Sequence, residues 1–189
     1  MKELKPAILM LIIFTILCGG IYPAVVTGIA QAVFPKQAKG SLITDARGRE
    51  VGSTLIGQPF SGPKYFWPRP SATPEFGYNP AGSGGSNAGP ANPAYLKTVG
   101  ERIKALRDAG IKGSIPADLV QASASGLDPH ISPEAAKVQI PRVARARGMS
   151  AGALSRLIAA HTEGRQFGFL GEPRVNVLAL NLALDTLMP

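Results

Sequence analysis

The most apolar part of the chain is a continuous stretch at residues 6–34, in which no side chain is charged. About twenty apolar residues are enough for a helix to cross the ~30 Å hydrocarbon core of a membrane. The pattern therefore predicts one transmembrane helix. Gly19, Gly20 and Pro23 predict a kink or a loosened turn halfway along it.

A cleaved signal peptide is the alternative interpretation of this stretch. Lys2 and Lys5 would form its basic region, and the small residues at 28–30 would offer a cleavage site. The apolar stretch is, however, about twice as long as the apolar region of a usual signal peptide, and it continues beyond that site. Its length favours a helix that stays in the membrane.

Small residues recur at every fourth position of the predicted span, at Gly20, Ala24, Gly28 and Ala32. Such a stripe on one helix face lets a second helix approach closely, which is how membrane helices associate. Glycine and alanine are also common in membrane spans without any such role. We predict a helix-packing and assembly surface at these four positions.

After the span, the apolar positions take on the patterns of a folded domain. Loose alternation over residues 37–56, around a turn at 45–48, predicts a short hairpin. Residues 58–93 are rich in proline and glycine, but they also contain aromatic side chains that can hold a loop in place. We therefore expect a long ordered loop rather than a disordered linker.

Start signals and apolar periodicity predict mainly helices downstream. Asn92 and Pro93 begin a helix that ends near Gly110 and has one apolar face. The remaining predicted elements are a short helix at 115–122, a helix at 132–147, a helix at 150–161, a strand at 174–178 and a closing helix at 180–187. Pro141 lies inside the second of these, so we expect a kink or two stacked segments there.

These elements predict an α+β fold, with one N-terminal transmembrane helix followed by a single helix-rich soluble domain with a small β-sheet. We expect a tail and membrane anchor at residues 1–34 and an extracytoplasmic domain at 35–189, which includes the ordered loop 58–93. The tail before the span carries Lys2 and Lys5 against Glu3. A short basic tail stays inside, so we predict an N-terminus inside and a domain outside.

The chain is basic, with twenty Lys and Arg against twelve Asp and Glu and a formal net charge of +8. Anionic lipid headgroups or an acidic partner fit this charge. The charges are dispersed without a block of five like charges, which disfavours a nucleic-acid groove. Cys18 is the only cysteine, which excludes an intrachain disulfide and a cysteine metal cluster.

The glycine-rich segment at residues 82–87 is the first candidate for chemistry. Glycine-rich loops can cradle phosphate through backbone N–H groups at a helix start. Here no lysine follows as in a P-loop, and no strand leads into the segment as in a dinucleotide fingerprint. A tight loop that needs positive φ is the favoured alternative.

Asp128, His130, His161 and Glu163 are the second candidate, because together they could bind a metal or act in acid–base catalysis. They could equally satisfy backbone groups in loops and at helix ends. The sequence contains no HExxH motif, no GxSxG motif and no nucleophile beside a base. An anchored or secreted metal-dependent hydrolase built on these four residues remains the alternative function.

A set of basic residues follows on the helix at 132–147. A solvated face is the favoured interpretation of this set, and a contact for an acidic partner is the second. The members of the set are Lys137, Arg142, Arg145 and Arg147.

Several stretches, in this order along nearly the whole chain, resemble the KdpC family, the C subunits of the Kdp potassium-transporting P-type ATPase. Besides the span, they are LIGQPF (55–60), YFWPRPSA (65–72), SGGSNAGPANP (83–93), SGLDPHISPEAA (125–136), PRVARARG (141–148) and HTEGRQFGFLGEPRVNVLALNLALD (161–185). As a set these motifs are highly specific.

The resemblance implies a non-catalytic accessory subunit of a high-affinity, ATP-driven potassium uptake complex in the bacterial inner membrane, with its domain in the periplasm. The implied partners are the potassium-conducting subunit, the ATP-hydrolysing subunit, a small single-span subunit and membrane lipid, without nucleic acid. No metal and no cofactor of its own are implied.

The family is assigned a catalytic-chaperone role, which raises the ATP affinity of the ATP-hydrolysing subunit. In that view a short loop resembles the signature stretch of ABC transporters and helps to hold a shared ATP. The residues concerned are Ser83, Gly84, Gly85, Ser86 and Asn87. A domain on the outer face cannot touch cytoplasmic ATP, so we favour assembly, stabilisation and control of the external potassium entrance.

Overall fold

The computed structural model describes residues 3–45 and 47–187, and backbone contacts divide the chain into two units, Met1–Val51 and Gly52–Pro189. Lys2, which contributes to the predicted orientation, and Ala46 of the predicted turn lie outside the described residues.

The first unit consists mainly of one apolar helix over Leu4–Val33, which is long and apolar enough to cross a membrane. It comprises α1 (Leu4–Ile16), a π-helical turn (Leu17–Ile21) and α2 (Tyr22–Val33). Pro23 has no backbone N–H to donate one turn back, and two glycines precede it, so the helix widens at this point. The predicted loosened turn is therefore found.

A short helix, α3 (Pro35–Ala38), and a hairpin of β1 (Leu42–Thr44) and β2 (Glu50–Ser53) follow the long helix. The Asp45 carboxylate stabilises the turn, because its Oδ1 accepts the backbone N–H groups of Arg47 (2.8 Å) and Arg49 (3.0 Å). These bonds, the one from Arg49 above all, hold the pKa of Asp45 below its usual value. The predicted hairpin is confirmed.

The second unit contains most of the helices and a three-stranded antiparallel sheet. Its helices are α4 (Pro93–Asp108), α5 (Pro133–Lys137), α6 (Ile140–Arg147), α7 (Ala151–Ala160) and α8 (Val177–Leu187), with 3₁₀ turns at Pro80–Gly82 and Ala117–Leu119. Its strands are β3 (His130–Ile131), β4 (Thr162–Glu163) and β5 (Arg174–Asn176). The α+β class with helix in excess is confirmed.

The strand β5 is the centre of this sheet, whose order is β3-β5-β4. Val175 is aligned with Ile131 on one side and with Thr162 on the other. Strands of two or three residues are marginal alone, so the sheet depends on the helices packed against it. The core that covers it includes the fully buried side chains of Phe66, Val143, Leu154, Val175, Leu180 and Leu184.

Three helix starts lie where the sequence predicts them. The Asn92 Oδ1 accepts the N–H of Ala94 (2.9 Å), the Ser132 Oγ accepts that of Ala135 (3.0 Å), and the Ser150 Oγ caps α7 in the same way. Pro141 lies in the first turn of α6, so the predicted long helix is two helices, α5 and α6.

Three predictions are wrong in part. The helix expected at 115–122 is a single 3₁₀ turn, because Pro116 is extended (ψ 141°) and the residue before a proline avoids the helical region. The apolar face of α4 is only partly covered, since Leu106 is buried and Val99 packs against the core, whereas Leu96 and Ile103 are exposed. The predicted strand at 174–178 ends at Asn176, and the closing helix begins directly after it at Val177 rather than at 180.

Candidate functional site

The surface of the long apolar helix is open along the predicted packing stripe. Apart from the backbone of the helix itself and the adjoining residues, a Cβ added at Gly20 or Gly28 would meet no atom within 4 Å. Ala24, Gly28 and Ala32 lie at α-helical spacing in α2, whereas Gly20 lies in the π-helical turn and is displaced around the axis from a regular stripe. A shallow recess beside this turn is lined by Thr15, Ile16, Gly19, Gly20, Ile21 and Ala24. Helix packing at these positions stays a prediction.

The long loop 58–93 is held in place by two buried amide side chains. Asn181 accepts the N–H of Phe66 and donates to its carbonyl, both at 2.9 Å. Gln139 accepts the N–H of Trp67 at 2.7 Å and donates to its carbonyl at 3.1 Å. The backbone N–H and carbonyl of both Phe66 and Trp67 are thus paired with a side chain, as they would be with a neighbouring strand in a sheet. We call these four bonds the amide clamp.

Most of the loop's aromatic side chains lie against the domain, as the sequence predicts. Phe66 is fully buried and Tyr78 is buried, while Phe60 and Trp67 pack against the core. Phe76 is the exception, with more than half of its surface exposed.

The predicted solvated basic face is wrong for two of its four residues. Arg142 is buried, its guanidinium lies 4.0 Å from the ring centre of Trp67, and it donates to the Pro63 carbonyl at 2.8 Å. Burial lowers the pKa of Arg142 to about 10, so it remains charged at neutral pH. Arg147 forms a 2.6 Å ion pair with Asp185. Both arginines stabilise the long loop and α8 rather than facing solvent.

The glycine-rich loop packs its backbone directly against residues 123–126. The Gly84 N–H donates to the Ser125 carbonyl at 2.9 Å, and the Ser83 hydroxyl donates to the same oxygen at 3.1 Å. A Cβ on Gly85 would lie 2.9 Å from the Ala124 carbonyl oxygen. Positive φ in this loop occurs at Asn87 (48°) rather than at Gly84 or Gly85. Close backbone approach therefore requires the glycine at position 85.

Asp128 is at the centre of a polar cluster with Arg69 and His130. Its Oδ2 lies 2.9 Å from the Arg69 Nη1, and its Oδ1 accepts the His130 N–H at 3.0 Å. Burial alone raises the pKa of Asp128, but the bonds from His130 and the Arg69 charge outweigh it, and the pKa lies below its usual value. Burial, and then the Asp128 charge, raises the pKa of Tyr78.

The four residues of the alternative hydrolase do not form one site. Asp128 and His130 are adjacent, whereas Glu163 pairs with Arg174 at 2.9 Å and His161 ends α7. Over residues 3–45 and 47–187, no group of three or more His, Cys, Asp or Glu side chains is placed to hold a metal ion.

Sequence reasoning missed Gln139 and Asn181, the two residues that hold the long loop. Asn181 did leave a signal, because it is a lone amide inside the apolar closing helix, and such a residue, when buried, needs hydrogen-bond partners. Gln139 left none, since a polar residue inside the predicted helix at 132–147 is ordinary, and only the structure places it between α5 and α6.

Comparison with known proteins gives a consistent result. The family model described as "KdpC: K+-transporting ATPase, c chain" matches residues 4–186. The potassium-transporting ATPase KdpC subunit of Geobacter sulfurreducens is 98% identical over 189 residues, the whole of both chains. That of Geobacter metallireducens is 74% identical over the whole of both chains, and that of Geotalea uraniireducens is 74% identical over 99% of each.

These matches cover the long apolar helix, the clamped loop and the sheet alike, and they confirm the resemblance drawn from the sequence motifs. The chain belongs to the KdpC family, the C subunits of the potassium-transporting ATPase.

Proposed function

We propose that the chain is a non-catalytic accessory subunit of a high-affinity ATP-driven potassium uptake complex, in which it supports assembly and stability. The observation that carries this proposal is membership of the KdpC family over residues 4–186. The proposed partners are the potassium-conducting, ATP-hydrolysing and small single-span subunits.

We further propose that residues 1–34 anchor the chain in the bacterial inner membrane and that residues 35–189 form a periplasmic domain. The apolar helix Leu4–Val33 supports the anchor, and the basic tail before it supports an inside N-terminus. Protease added to intact spheroplasts should remove the domain. Full protection of the domain would contradict this orientation, and a mature chain trimmed near Ala30 would contradict the anchor.

The small-residue stripe offers a direct test of assembly. Gly28→Leu should weaken recovery of the complex in mild detergent while membrane insertion is retained, because the leucine blocks close helix approach without adding charge. Val26→Leu is the matched control, since it lengthens an already branched side chain on the same helix. Equal recovery of both variants would argue against packing at Gly28.

An effect of this subunit on ATP affinity fits best with transmission through the membrane part rather than direct contact. The Gly84 N–H and the Ser83 hydroxyl, which could otherwise hold phosphate, both donate to Ser125. Photolabelling of the whole complex with an azido-ATP should label the ATP-hydrolysing subunit alone. Label within residues 83–87 of this chain would support a shared ATP site instead.

A further inference from the structure

The connection between β4 and β5 is an exposed hairpin with apolar side chains at its tip. All residues from 163 to 174, which we call the finger, are exposed. Phe167 and Phe169 have exposed fractions of 87% and 70%, the two highest of any large apolar side chain in the described ranges 3–45 and 47–187. Leu170 beside them is 47% exposed. Clustered exposed apolar side chains with a polar rim mark interaction sites.

The finger is held in one shape by its own backbone. The N–H of Gln166 donates to the carbonyl of Leu170, and the N–H of Leu170 donates back to Gln166, both at 2.9 Å. Phe167 and Gly168 between them have φ of 54° and 82°. A phenylalanine in the left-handed region is uncommon and is kept there only by the structure around it. The tip is thus a closed turn that presents two aromatic rings.

Two ion pairs neutralise the charges below the tip. Arg165 donates through Nη2 to both carboxylate oxygens of Glu172, at 2.9 and 2.7 Å. One step nearer the sheet, the Arg174 Nε donates to Glu163 at 2.9 Å across the β4–β5 pair. Two cations and two carboxylates therefore surround the apolar tip, and their charges sum to zero.

We propose that the finger docks Phe167 and Phe169 into an apolar pocket on another subunit of the same transport complex, with a pocket rim of mixed charge. This inference rests on the proposed function, because it requires that the chain assembles with partner subunits. Buried aromatic anchors ringed by polar contacts are the arrangement that dominates binding energy at protein interfaces.

The charges of the finger favour a protein pocket over a lipid surface. An anionic membrane surface attracts segments with unpaired Lys and Arg, whereas this finger presents as many carboxylates as cations. The fixed shape of the turn also favours a protein pocket, because a preformed turn loses less conformational entropy when it enters a pocket of matching shape. A fluid bilayer accepts aromatic side chains in many arrangements and gains little from a rigid turn.

The first experiment compares recovery of the subunit with its complex from membranes in mild detergent. The double variant Phe167→Ser, Phe169→Ser should lower its affinity for the rest of the complex at least about tenfold, as expected for two central aromatic anchors. The matched control is Phe76→Ser, which removes another exposed phenylalanine from the same unit. Both variants should unfold in urea at the midpoint of the wild type, because the replaced rings are exposed.

Recovery of the double variant at the wild-type level would overturn the proposal while leaving the proposed function intact. If the wild-type chain itself failed to recover any partner, the proposed function would fail first. The two failures are therefore distinguishable in one experiment.

The second experiment identifies what the tip touches. Phe167 is replaced by the photo-crosslinking analogue p-benzoylphenylalanine in the whole complex, and the membranes are irradiated. A covalent product between this chain and a partner subunit is expected. Crosslinks to phospholipid alone, or no crosslinks beyond those of the same analogue at position 76, would overturn the proposal.

Discussion

The amide clamp makes a quantitative prediction about how the long loop is stabilised. Asn181 is almost fully buried, and both its hydrogen bonds go to the backbone of Phe66, which is itself fully buried. Asn181→Leu keeps a side chain of similar size and removes both bonds. The N–H and carbonyl of Phe66 then remain buried without partners, because no water can reach them without movement of the loop.

The cost follows from the two groups left unpaired. A buried polar backbone group without a hydrogen bond costs about 1–3 kcal/mol, so the pair costs about 4 kcal/mol at the middle of that range. The apolar side chain of leucine offsets at most about 2 kcal/mol of this. We therefore expect the free energy of unfolding to fall by about 2 kcal/mol or more. With a urea dependence of about 2 kcal/mol per M, the midpoint falls by about 1 M.

Trp67 provides the assay, because it is the only tryptophan and its own backbone is part of the clamp. Its fluorescence during urea titration of the full chain in mild detergent reports the loop and not the apolar helix. Thr186→Ala, an exposed change on the same helix, is the matched control and should shift the free energy by no more than about 0.5 kcal/mol. Equal midpoints for Asn181→Leu and the control would refute the reasoning.

Two further predictions concern the polar loops. Gly85→Ala should destabilise the domain by about 1–3 kcal/mol, because its Cβ would lie 2.9 Å from the Ala124 carbonyl oxygen. The control is Gly89→Ala, since a Cβ there would meet nothing within 4 Å. Equal urea midpoints for the two variants would contradict the close approach at Gly85. The lowered pKa of Asp128 contributes stability that is present above its ordinary value of 3.8 and is lost as pH falls through the folded-state pKa. Asp128→Asn should therefore flatten the fall in urea midpoint below about pH 4, and an unchanged pH profile would exclude this contribution.

Features that depend on neighbouring residues were predictable from the sequence. The caps at Asn92, Ser132 and Ser150 need only a side-chain oxygen two or three residues before the N–H that it accepts. The long apolar helix and its loosened turn at 17–21 follow from composition and from Pro23 in the same way.

Features that depend on distant partners were not predictable. Arg142 has a sequence setting typical of a solvated helix, yet Trp67 and the Pro63 carbonyl enclose it from 75 or more positions away in the chain. The strand β4 has two residues, too few for any alternation to show, and it forms only because β5 lies beside it. The finger lies within a stretch, residues 161–185, that resembles the KdpC family, but its exposure depends on the fold around it.

The position of Asn181 near the end of the chain has a consequence for biosynthesis. The partner that this residue holds, Phe66, is made 115 residues earlier. Domains form from the N-terminus during synthesis, and contacts of high sequence separation come late. The long loop therefore cannot be fully fixed in place, and remains accessible to proteases, until almost the whole chain has been synthesised. A chain that lacks its last ten residues lacks Asn181, so we expect it to be degraded rather than assembled.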